Sequence, residues 1–112
     1  MRFWFVNLGK YYEEQRDGRF LWAPLYNNRG GTNSHWDALK DVNRGDVILC
    51  NNNGHIFSVG VARDHAYLCN IPDEFEQTWR PEGRRIDLRF ILMVWNIRRL
   101  IFHLIMISDR DI

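Results

Sequence analysis

The chain has 112 residues, 46% of them hydrophobic and 26% charged, with a formal net charge of +1. That length suits one domain, 1–112, with a single core that needs no disulfide or metal staple. The charge balance excludes naming a partner from global charge, so any functional signal must come from local constellations.

Two features of composition stand out. Of the 15 basic residues only Lys10 and Lys40 are lysines, and arginine brings a planar fork suited to phosphate. Five tryptophans in so small a domain exceed what a core requires, which points to a pocket or an interface as well as core filling.

In chain order, Arg2 to Leu8 (RFWFVNL) is aromatic and β-branched and predicts a first strand ending at Gly9. Lys10 to Gly18 is polar, with weak helical or loop character. Phe20 to Leu25 (FLWAPL) is apolar again, but Pro24 argues against a central strand. Asn27 to Asn33 is a loop. Ser34 is the expected N-cap of a short helix to Leu39, with Trp36 and Leu39 facing the core. Val47 to Cys50 and Ile56 to Ala62 flank an Asn-rich, Gly-containing connection and predict a β-hairpin, buried on both faces. Gly60 marks a bulge, a barrel bend or a close backbone approach. Tyr67 to Cys69 suits a continuation strand, and Ile71 to Gly83 a polar loop or short helix. Arg84 to Met93 alternates, with Ile86, Leu88 and Phe90 on one face. The apolar tail, Leu92 to Ile107, is interrupted by Asn96, Arg98, Arg99 and His103 and falls short of a membrane span. It packs on the sheet or forms a homodimer. Trp4 and Trp95, in apolar strands, are expected in the core. The whole predicts an α+β fold: a small curved mixed β-barrel with one or two flanking short helices.

No signal peptide is evident, and Cys50 and Cys69 form no CxxC. Free, mostly buried thiols in a reducing cytoplasm are expected. Cys50, His55, His65 and Cys69 match no standard zinc spacing, and no cofactor is expected. His35 and Asp37 lack an accompanying nucleophile or metal set, and P-loop and GxSxG motifs are missing, so a binding domain is expected rather than an enzyme.

Three segments carry a family resemblance. RFWFVN at Arg2 to Asn7 looks like an opening strand, and FLWAPLYN at Phe20 to Asn27 like a Trp followed by a small residue and a Pro-containing turn. HWDALKDVNRGDVILCNNNGHIFSVGVA is similar to a helix, a Gly-Asp turn, an apolar strand and a glycine-bearing strand. In this order they resemble the EVE and YTH domains of the PUA-like superfamily. Leu8-Gly9 stands where the family has a Ser-Asn pair, and the tail differs from the family's usual ending.

The resemblance implies a reader that flips one modified base of double-stranded DNA into an aromatic cage. Such domains often precede a GTPase or nuclease in McrB-like modification-dependent restriction proteins, so this chain is either whole or an excised part. Trp22 and Trp79 are the expected cage walls, with Tyr67 and Phe75 as substitutes. Asn7, Asn27 and Asn28 are candidates for the base edge, since an amide offers donor and acceptor together. Lys10, Arg16, Arg19 and Arg29 flank Trp22, while Arg80, Arg84 and Arg85 flank Trp79, as phosphate contacts. The alternatives are an RNA reader of the YTH or PUA kind, and an interaction domain that dimerises through 92–107.

Overall fold

The computed structural model describes residues 1–52, 55–93 and 110–111. Strand β1 is Phe3–Asn7. A 3-10 turn at Gly9–Tyr11 leads into helix α1, Tyr12–Gly18. Strand β2, Phe20–Pro24, follows directly. Helix α2, Ser34–Asp37, continues as a 3-10 turn over Ala38–Asp41. Strands β3 (Val47–Asn52) and β4 (His55–Ala62) are the expected hairpin. Strands β5 (Tyr67–Leu68), β6 (Gly83–Met93) and β7 (Arg110–Asp111) complete the sheet.

Six strands run in the order β2-β6-β4-β3-β1-β7, and β5 pairs with β6. The sheet is mixed: β1 is parallel to β3 and β7, while the other pairs are antiparallel. No ladder joins β2 to β7 among the described residues, so the sheet is open where the sequence predicts a barrel. Pro24 lies at the end of β2, a terminal strand of that order, where its missing N–H breaks no central ladder. The bulge expected near Gly60 appears as a shift in the β4/β6 register between Gly60 and Ala62.

Alternation along the strands divides the packing into two faces. Trp4, Val6, Ile48 and Cys50 point to one side with Leu21, Ala23, Ile86 and Leu88. Phe3 and Leu49 are buried on the opposite side with Phe5, Val47 and Val59 packed around them. The hairpin's first strand is therefore covered on both faces, which explains its uninterrupted apolar run. Of the tail Leu92 to Ile107, only Leu92 and Met93 are described, as the end of β6; the remainder, with Trp95 and most of the expected dimer surface, lies outside the described residues.

One buried carboxylate ties β1 to the turn before β3. Asp46 is 1% exposed. Its Oδ1 accepts the Arg2 N–H at 2.9 Å, and its Oδ2 accepts the Trp4 Nε1–H and the Asn43 N–H, both at 2.9 Å. Gly45 precedes it at φ +88°, a backbone state that side-chain-bearing residues avoid. Burial pushes the Asp46 carboxyl up, but the hydrogen bonds from Asn43, Trp4 and Arg2 outweigh it and hold it below its ordinary value.

Candidate functional site

The register of β1 on β3 sets Asn7 directly beside Asn51. Both line a cavity of about 540 Å³ between the end of β1 and strand β2, roofed by residues of α2 and the 70s loop. Its size is within the usual range for small-ligand sites.

One wall is aromatic. Trp22 packs in a cluster separate from that of its strand neighbours Leu21 and Ala23 and donates its Nε1–H to the Cys69 carbonyl at 2.8 Å. Phe75 meets it edge-on at 5.9 Å and lies parallel to Tyr11 at 4.1 Å. Trp79 stacks on Trp22 with centroids 6.2 Å apart and planes inclined by 26°. Trp36 meets Trp79 at 6.0 Å and 61°. The result is a continuous shelf that ends at the half-buried Trp36 and Trp79.

This arrangement corrects the expected sandwich. A base between two rings needs two stacking gaps, roughly 7 Å or more in all. Trp22 and Trp79 are closer than that and touch each other, so they form one wall rather than two. Trp22, 5% exposed, is the buried foundation of that wall. Phe75, 3% exposed, supports it. Tyr67 is elsewhere: its hydroxyl donates to Asp87 at 2.8 Å at a second cavity. Trp36, expected as core, packs half-buried against the core cluster and also lines the aromatic cavity. The Trp4 indole, expected in the core, is there.

Gly83 makes room for the shelf. A Cβ at this position would lie 2.2 Å from Trp22 Cζ2. Gly83→Ala is therefore expected to displace the indole and to lower stability by about 1–3 kcal/mol. Chemical denaturation monitored by tryptophan fluorescence measures both effects.

The polar lining comes from amides. Asn7 Oδ1 accepts the Gly9 N–H at 3.1 Å, which leaves its amide nitrogen to donate elsewhere. Asn51 Oδ1 is buried and has no hydrogen-bond partner. A buried acceptor left unpaired costs about 1–3 kcal/mol. Asn33 caps α2, accepting from the His35 and Trp36 N–H groups at 2.8 and 3.4 Å, and so fixes where Trp36 stands. The cap is thus Asn33 and not Ser34. Gln15, 5% exposed, donates to the Tyr11 carbonyl at 3.1 Å and accepts the Trp22 N–H at 3.0 Å, locking α1 to β2.

Asn27 and Asn28 do not line the cavity. Asn27 Oδ1 accepts the Arg29 and Gly31 N–H groups at 2.9 and 3.0 Å, which is turn chemistry. Asn28 Nδ2 donates to the Thr78 carbonyl at 3.0 Å and ties its loop to the one that carries Trp79.

The candidate phosphate contacts divide by their neighbours. Lys10 pairs with Glu76 at 2.7 Å, Arg16 with Asp17 at 3.0 Å, Arg84 with Asp37 at 3.1 Å and Arg85 with Asp87 at 2.8 Å. Arg85 also lies over the Phe20 ring at 4.2 Å. These four would have to leave or share a carboxylate to hold a phosphate. Arg19, Arg29 and Arg80 are exposed and make no ion pair among the described residues. Arg19 sits in the left-handed region at φ 56°, closing α1. The Arg80 guanidinium lies beside Gly30, next to Arg29.

The cysteines are free, and burial pushes the Cys50 thiol up to about 11, which keeps it protonated. No cluster able to hold a metal ion occurs among the described residues. None of their helices is long and apolar enough to cross a membrane. No family model matches the chain, and no curated protein matches it.

Proposed function

We propose that the chain is a nucleic-acid reader that holds one unstacked, modified DNA base in the cavity between β1 and β2. The PUA-like barrel of the EVE and YTH domains belongs to the same proposal. The observation that carries the reading is the pairing of an aromatic shelf with two side-chain amides, Asn7 and Asn51, in the lining of one cavity of about 540 Å³.

The energetics are consistent. Taking a base from the stack costs a few kcal/mol. Stacking on one aromatic wall returns about 1–3 kcal/mol. A single wall is therefore marginal, and hydrogen bonds to the base edge are needed. Asn7 and Asn51, neighbours across the β1/β3 pair, place two side-chain amides in the cavity lining for that edge. Arg29 and Arg80, without carboxylate partners, are the best placed to hold the flanking phosphates beside Trp79. In this reading the domain selects a site, and a GTPase or nuclease domain or subunit acts on it.

The test is competition binding at fixed salt with three ligands of one sequence: methylated duplex, unmodified duplex and RNA. Preference for the methylated duplex is the expected result. Preference for RNA would reassign the reader to RNA, and binding to none of the three at low salt would overturn the proposal.

A further inference from the structure

A second cavity, of about 420 Å³, opens near the other end of β3 and is lined by arginines. Arg44 precedes the turn into β3, Arg63 follows β4, and Arg89 lies on β6. Their backbones are pinned together. Gly45 N–H donates to the Ala62 carbonyl and Ala62 N–H to the Asp46 carbonyl, both at 2.9 Å. Arg63 N–H donates to the Asp87 carbonyl at 2.8 Å. Ala62 pairs with Leu88, next to Arg89. The backbones that carry the three arginines are thus hydrogen-bonded to one another through neighbouring residues.

Three arginines against two acids, Asp64 and Asp87, leave the cavity lining net positive, although the Asp87 carboxylate also attracts Arg63. Asp87 is engaged by Arg85 Nε and by the Tyr67 hydroxyl, both at 2.8 Å. Asp64 accepts the N–H of His65 at 2.8 Å. Among the described residues Arg44, Arg63 and Arg89 make no ion pair. Four of the seven candidate cations near the aromatic cavity pair with acids and lack this freedom. Several arginines around one concave site focus a positive field, and the arginine fork matches phosphate oxygens.

We infer that the cavity between Arg44, Arg63 and Arg89 is a phosphate-binding site, with His65 at its margin. The site does not depend on base capture in the aromatic cavity. Its phosphate comes either from a nucleic-acid backbone or from a free phosphate group, and the two sources are separable.

The test is two-dimensional NMR of the whole chain at constant ionic strength, titrated separately with inorganic phosphate and with a dinucleoside monophosphate. Saturable shifts at the Arg44, Arg63 and His65 amides are expected. A response to the dinucleotide alone assigns the site to a backbone diester, and a response to inorganic phosphate alone assigns it to free phosphate. The Arg63→Ala/Arg89→Ala double variant is expected to weaken the response at least tenfold, with Arg63→Lys intermediate because it keeps the charge and loses the fork. These side chains are exposed, so the fold is expected to survive, and the unchanged dispersion of the remaining amides checks it. No saturable shift with either ligand, or equal binding by the double variant, would overturn the inference.

Discussion

Asp46→Ala is expected to cost the protein about 3–4 kcal/mol of stability, a large share of the roughly 5–15 kcal/mol that holds a typical domain together. The substitution removes two acceptor oxygens from three donors, the N–H groups of Arg2 and Asn43 and the indole N–H of Trp4. Water can reach the first two in part. Trp4 is 2% exposed, so its N–H would be left unpaired in the interior, at about 1–3 kcal/mol for that group alone. Asp46→Asn should fall between: it keeps the shape but turns an NH2 toward one of the donors. The pH dependence has a definite sign. The folded carboxyl titrates below its ordinary value, so its contribution is complete above the unfolded pKa of about 3.9. It is lost as pH falls through the lower, folded value. Urea denaturation from pH 7 down to pH 2 should therefore show wild type losing stability in acid, with a shallower loss in Asp46→Asn. Equal slopes would remove Asp46 as the anchor.

Trp36→Ala is expected to reduce the preference for modified over unmodified duplex at least tenfold while leaving salt-sensitive background binding. The indole is the half-buried end of the shelf, and losing one stacking surface costs about 1–3 kcal/mol. Background binding depends on arginine–phosphate contacts that the substitution does not touch. Trp22→Ala is a poorer probe, since that indole is buried beneath Trp79 and its removal is expected to cost about 3–5 kcal/mol of stability. Fluorescence polarisation at two salt concentrations, with Tm measured in parallel, separates lost recognition from lost folding. An unchanged preference in folded Trp36→Ala would remove it from the site.

The strands were the most legible part of the sequence, because alternation and β-branched runs depend on local pattern. β1, the β3/β4 hairpin and β6 follow from it directly. The site was less legible, because it is assembled by register and loop packing. Asn51 looks like turn chemistry in the run Asn51 to Gly54; only the pairing of β1 with β3 brings it beside Asn7. Trp22 and Trp79 were correctly associated, but no local pattern distinguishes two rings facing across a gap from two rings in contact. Trp36 has core spacing on its helix and packs against the core, but its second contact, with Trp79 at the cavity, depends on loop packing that the spacing does not reveal. The role of Asp46 was visible only as a Gly-Asp turn, since its donors Arg2 and Trp4 are more than 40 residues away.

The most direct measurement is the response of the indole and side-chain amide NMR signals to a duplex that carries one modified base. Capture in the cavity predicts that Trp36, Trp79 and the Asn51 amide shift strongly, that Trp4 stays fixed, and that the unmodified duplex leaves all four in place. Tight binding of the modified duplex with no change at Trp36, Trp79 or Asn51 would contradict it.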